Sequence, residues 1–244
     1  MKKILQKLFA PKSMENEISE NKRRFATDYQ YTDRETKAYY VWLKYQSILQ
    51  GSILDVGADE CHLKKHLPSD AKYWGIGLGG HPDQQINLEK EKMPFADKSY
   101  DCVLCLDVLE HLDNIHSVFD EICRVSSKYI IISLPNPWGD FLYMIQNGDY
   151  RPGQATKFYG LPLEPPDDRH KWFFSVSEAE NFIQYRARKN GMNVLDFEVM
   201  GIDSQKTSWA GISRPAIVRE ETPPKNVLGQ SIWAVLQRSG DVVE

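Results

Sequence analysis

Residues 51–67 read GSILDVGADECHLKKHL. A strand that ends in ILDVG and opens into a helix brings backbone N–H groups to the strand–helix turn, which is where nucleotide-like ligands are held. Asp55 and Gly57 mark that turn. Outward from it, strand-length apolar runs alternate with helical patterns, the signature of βαβ units around a mainly parallel sheet. Strands are expected at Ser52–Val56, Lys72–Leu78, Gln84–Asn87, Tyr100–Leu106, Lys128–Leu134, Asn193–Gly201 and Ser231–Gln237. The fold class is therefore α/β, a seven-stranded sheet with helices on both faces.

Between the fourth and fifth strands, Val108, Leu112, Ile115, Phe119 and Ile122 recur at helical spacing, so one helix is expected there, with Glu121 and Arg124 on its wet side. Further on, Ser175 and Glu178 have capping-box spacing, Ala179, Phe182 and Ile183 form an apolar stripe, and Gly191 is placed to end the helix. Residues 135–174 hold six of the thirteen prolines without helical or alternating order, and they read as a lid or acceptor loop. Residues 203–230 also lack pattern. We divide the chain into an N-terminal helical segment, 1–50, and a domain over 51–244.

The 244 residues suffice for a core without disulfides or metal. A net charge of −4 argues against unspecific attraction to nucleic acid. Nothing approaches a membrane span, and the start MKKILQKLFAPK is too short in apolar residues for a secretory signal. Cys61, Cys102, Cys105 and Cys123 are expected to be thiols in a cytoplasmic protein. Cys102 and Cys105 form C-x-x-C, but residues three apart on a strand face opposite sides and cannot share a metal. His62 and His66, four apart on the expected helix, have no third ligand at an evident spacing, so no metal is expected.

Four stretches in order carry a resemblance. GSILDVGADECHLKKHL looks like the first S-adenosylmethionine (SAM) motif of class I methyltransferases, and YWGIGL resembles their second strand. MPFADKSYDCVLCLDVLEHLDN resembles the segment through the fourth strand, and CRVSSKYIIISLPN the fifth. The chain is similar to the type 11 methyltransferases of this class. The resemblance implies a Rossmann-like methyltransferase fold, SAM as cofactor, and a cofactor site drawn from Asp55, Gly57, Asp59, Gly77, Asn87, Leu88 and Asp107. Read singly, Asp55 and Asp107 serve equally well as helix caps and the glycines as turn residues.

Departures accompany the matches. Asp59 and Cys61 stand where the family has its second and third glycines, and Gly77 replaces an acidic residue that accepts from the ribose hydroxyls. Asp59 or Asp83 is placed to compensate, and Asn87 keeps a carbonyl for the adenine amino group. After the fifth strand, PPDDRHKWFFS places Asp167, Asp168, Arg169, His170 and Lys171 above the expected methyl donor. We assign His170 as general base and Asp168 as its orienting carboxylate, with Trp138, Phe158, Tyr159 and Trp172 shaping the acceptor pocket. His111 is expected to be structural. The expected reaction is methyl transfer to oxygen or nitrogen of a small or sugar-like acceptor. The alternative is a non-catalytic module of the same fold; a dinucleotide enzyme ranks last, because no G-x-G-x-x-G follows ILDVG. The oligomeric state is left open.

Overall fold

The computed structural model describes residues 25–148, 164–165, 168–205 and 208–240. The first helix described is α1 (Arg34–Tyr45). A capping box starts it: the Asp33 carboxylate accepts from the Thr36 N–H at 2.8 Å, and the Thr36 hydroxyl accepts from the Asp33 N–H at 3.0 Å. Its stripe of Ala38, Val41 and Tyr45 faces the sheet.

Seven strands follow: β1 (Ser52–Val56), β2 (Lys72–Gly77), β3 (Gln84–Gln85), β4 (Tyr100–Leu106), β5 (Ser126–Pro135), β6 (Met192–Val199) and β7 (Ser231–Arg238). Their order is β3-β2-β1-β4-β5-β7-β6, with β7 antiparallel to both its neighbours and the rest parallel. All seven expected strands are present. From β1 the chain builds outward to β3, then returns to lay β4 on the other side of β1. The carboxyl ends of β1 and β4 thus diverge at a switch point, where open α/β sheets form their binding crevice.

One face of the sheet is covered by α2 (Ile115–Val125) and α4 (Val176–Lys189), which bury Phe119, Ile122, Ile183 and Ala187 against Val103, Cys105 and Ile132. The opposite face is covered by α1, whose residues share a core with Ile53, Leu104, Ile131 and Trp233. Cys102 belongs to this second core and Cys105 to the first, as alternation on β4 requires. The α4 capping box is present, with the Glu178 carboxylate accepting from the Ser175 N–H at 2.8 Å, and Gly191 follows the helix in the left-handed region. Among the described residues no helix is long and apolar enough to cross a membrane.

Three local expectations are corrected. The helix expected after β1 is a single 3-10 turn, His62–His66, bounded by left-handed Cys61 and by Leu67, which the following Pro68 holds extended. At three residues per turn, His62 and His66 do not share a face; His66 packs against the Tyr39 ring at 5.3 Å. The continuous helix expected from Val108 is broken into a 3-10 turn, Leu109–His111, and α2. Outside partners use the intervening backbone, since Trp172 Nε1–H donates to the Leu112 carbonyl and the Asp113 N–H donates to Glu89, each at 2.7 Å. Part of the stretch read as structureless forms α3 (Pro137–Asn147), whose first-turn proline suits a helix start, and a short α5 (Pro224–Leu228) lies in the 203–230 segment.

Trp233 is fully buried, with ring contacts to Tyr31, Tyr40 and Tyr45. Trp233→Ala is expected to cost about 3–5 kcal/mol in urea unfolding. A loss below about 1 kcal/mol would mean that α1 is not held by this core.

Candidate active site

A cavity of about 1140 Å³ opens over the switch point. The end of β1 gives it Asp55, Gly57, Ala58 and Asp59; the end of β2 gives Gly77, Leu78 and Gly79; Ile86 and Leu88 follow β3. The end of β4 gives Asp107, and the turn after it gives Glu110 and His111. Two further walls come from elsewhere in the chain. Helix α1 supplies Arg34 and Lys37, and the segment before α4 supplies Asp168, Arg169, His170 and Lys171.

Backbone conformation at this edge is unusual. Gly57 has φ +80°, and a Cβ built there would lie 2.2 Å from Val108 Cγ2, so only glycine fits the turn. Asp59, Cys61 and Asp107 also have positive φ, at 50°, 53° and 53°. Asp59 and Cys61 therefore adopt the left-handed backbone that glycine favours and send their side chains to specific partners. Asp59 pairs with Arg34, while Cys61 approaches Gly75, where an added Cβ would lie 2.7 Å from its sulfur.

Lys37 is the electrostatic centre of the cavity. Its ammonium pairs with the Asp107 carboxylate, donates to Ser133 Oγ at 3.1 Å and lies 5.0 Å from the Trp233 ring centroid. Burial pushes the Asp107 carboxyl up, but the Lys37 charge and hydrogen bond and the Ser133 hydroxyl outweigh it and hold the group below the usual carboxylate range. Asp55 behaves oppositely. Burial pushes its carboxyl up to about 6, against a 2.8 Å hydrogen bond from the Tyr73 hydroxyl and the charge of Lys37.

At the other side, the segment 168–171 is strapped to the turn after β4. The Lys171 N–H donates to the Glu110 carbonyl at 2.8 Å, and the Lys171 ammonium reaches Glu89 at 2.6 Å and Asp113 at 2.8 Å. His111 and His170 meet edge to face, 4.4 Å between ring centroids.

The cavity thus gathers Asp55, Gly57, Asp59, Gly77, Leu88, Asp107, Asp168 and His170 from the sequence reading. Asn87 does not line it, and its amide oxygen accepts from the Glu89 N–H at 3.0 Å. Asp83 is likewise committed elsewhere, to the Gly75 N–H at 2.8 Å and Lys64 at 2.9 Å. The Asp168 carboxylate contacts His111: its Oδ1 lies 2.8 Å from His111 Nδ1. Trp138 stacks on Phe173, and Trp172 packs against the core, so neither lines the cavity. Asp167, Phe158 and Tyr159 lie outside the described residues. Sequence reasoning missed Arg34 and Lys37, which fall outside the four recognised stretches, and gave Glu110 no role.

Comparison with known proteins bears on the fold. Residues 77–129 match the family model described as a methyltransferase domain, the group that the four stretches resemble. No curated protein matches the chain. Among solved structures, a SAM-dependent methyltransferase from Archaeoglobus fulgidus aligns at 14% identity with a TM-score of 0.53, over 84% of this chain and 95% of that one. Magnesium protoporphyrin IX methyltransferase from Synechocystis, with bound S-adenosylhomocysteine, aligns at 15% identity and a TM-score of 0.47, over 98% and 100% of the two chains. The fold is that of the class I SAM-dependent methyltransferases.

The raised Asp55 pKa sets a pH dependence of stability. Below about pH 4 the group is protonated in both states. Between about 4 and 6 the unfolded chain ionises first, so stability falls as pH rises, and the full penalty, up to about 3 kcal/mol, applies above about 6. Asp55→Asn keeps an acceptor for Tyr73 and is expected to unfold at higher urea than the parent near pH 7, with the difference shrinking towards pH 4. An equal difference at both pH values would contradict the assignment.

Proposed function

We propose that this chain, built on the class I methyltransferase fold, binds SAM in the cavity and transfers its methyl group to an oxygen or nitrogen of a small or sugar-like acceptor. The observation that carries the reading is the cavity at the switch point, with an ion pair at one side and a histidine cluster at the other. Its volume of about 1140 Å³ takes a ligand of SAM's size together with part of an acceptor.

The residues fit the cofactor's charges. The amino-acid end of SAM is a zwitterion, and Lys37 and Asp107 offer a cation and an anion beside each other, with Arg34 and Asp59 as a second such pair. Asp55 and Gly57 form the turn against which that end lies, and Ile86 and Leu88 give the adenine an apolar wall. Gly77 takes the ribose position without a carboxylate. When bound, SAM supplies a methyl group already activated by its sulfonium charge. The chain then has to align an acceptor, exclude water and manage one proton.

His170 and His111 stand where the acceptor's reacting atom must be handled. Asp168 assists through His111, because that is the ring it holds. Arg169 lines the same wall and suits an acceptor carrying hydroxyl or anionic groups.

Two variants separate the cofactor and acceptor roles. A Cβ at Gly77 would stand 3.5 Å or more from its neighbours, so Gly77→Asp fits without strain. One added charge-assisted hydrogen bond, about 1.5–3 kcal/mol, is expected to tighten SAM binding roughly ten- to a hundredfold in calorimetry. Weaker binding would show that another group fills the ribose position. With labelled SAM and an acceptor found by screening hydroxyl compounds, His170→Ala is expected to lower the transfer rate by roughly 10²–10⁴ while SAM affinity holds. Full turnover in that variant would remove His170 from the acceptor site.

A further inference from the structure

We infer that Glu110, His111 and His170 form a binding site for one divalent transition-metal ion, and that this ion holds the acceptor's hydroxyl oxygen during methyl transfer. The inference rests on the methyl-transfer reading of the cavity but changes what His170 does there: it is a ligand rather than a base.

The geometry has four parts. One ligand atom from each of the three side chains lies within 4.8 Å of the other two. Shifts of less than about 1 Å bring such atoms to the roughly 2.0–2.2 Å at which nitrogen and oxygen bind first-row divalent ions. Second, His111 Nε2 stands 3.8 Å from Glu110 Oε1, too far for a hydrogen bond and suited to two ligands of one ion. Third, the contact between Asp168 and His111 Nδ1 fixes the tautomer that leaves Nε2 a lone pair on the Glu110 side. A carboxylate on the far nitrogen is the usual support of a metal-bound histidine. Fourth, the strap from Lys171 to the Glu110 carbonyl holds the two segments in register, so the site is assembled before any ligand arrives. Glu110 is only 1% exposed, yet all three residues line the cavity, which leaves the open coordination positions facing it.

Two imidazoles and one carboxylate suit manganese, iron, cobalt or zinc rather than calcium or magnesium, which prefer all-oxygen sets. An alcohol oxygen bound to such an ion gives up its proton more readily. In the transfer the hydroxyl proton leaves to water and an oxygen lone pair forms the O–CH3 bond. The C–S bond breaks with its electron pair passing to sulfur, and the ion keeps its oxidation state. A hydroxyl-bearing acceptor, and among these one with neighbouring hydroxyls that can chelate the ion, is the class this arrangement takes.

The test is calorimetric titration of the chelator-treated full chain with manganese(II) chloride, backed by the electron paramagnetic resonance signal of free manganese. One ion per chain is expected. His111→Ala and His170→Ala are expected to lose that binding, Asp168→Ala to weaken it roughly ten- to a hundredfold, and His81→Ala, an exposed histidine away from the cavity, to leave it unchanged. Thermal unfolding of each variant checks that it folds. Failure to take up manganese stoichiometrically, or uptake unchanged by both histidine variants, would overturn the site. SAM titrated into the same stripped protein separates the two ideas: SAM binding without manganese binding removes only the metal site, and manganese binding without SAM binding removes only the cofactor reading.

Discussion

The ammonium of Lys37 sits between the Asp107 carboxylate and the Ser133 hydroxyl, above the ring of Trp233. It joins helix α1 to the ends of β4, β5 and β7 at one point. Asp107 can face the cavity only because its backbone takes the left-handed region, with its N–H donating to the Ser133 carbonyl at 3.0 Å. The Asp107 side chain is 44% exposed, and the cation beside it holds its carboxyl below the usual carboxylate range. The cation comes from a helix that precedes the sheet in sequence, so α1 must dock before the switch-point crevice becomes a cavity. The aromatic packing of Tyr31, Tyr40 and Tyr45 on Trp233 provides that docking energy.

The same edge sets two carboxyls of unlike character at the mouth of one cavity. β1 and β4 are apolar through their middles, and Asp55 near the end of β1 and Asp107 just past β4 are in contrasting states. One carboxyl is pushed up by burial, and the other is held down by a cation. Both titrations depend on Lys37. The histidine wall is held by a separate network, the Lys171 strap with Glu89 and Asp113. The two sides of the cavity are held by separate contacts and meet electrostatically, since His170 helps to hold the Asp107 carboxyl down.

Much of this was legible from local pattern. Ser52–Val56 and Tyr100–Leu106 are strands with the bounds that their apolar runs suggest, and the α4 capping box follows from two residues at fixed spacing. Helix α3 was hidden because proline, read as a breaker, is favourable in a first turn. The break before α2 was hidden for a different reason: helical periodicity persists through Leu112, and only the distant Trp172 and Glu89 draw its backbone out of the helix. In the site, residues at strand ends were legible because their position follows from the fold. Lys37 was not, since its role depends on how α1 crosses the sheet. The contact of Asp168 with His111 was not either, because His111 lies 57 residues earlier and only the folded chain brings the two together.

Binding of a SAM-shaped ligand between α1 and the ends of β1, β2 and β4 is read by amide hydrogen exchange with and without S-adenosylhomocysteine. The expected result is slower exchange in α1 and in the turns at Gly57–Cys61 and Gly77–Gly80, with little change in α3 and α5 on the far side of β5. Unchanged exchange in all three cavity segments at a ligand concentration well above that of the protein would contradict it.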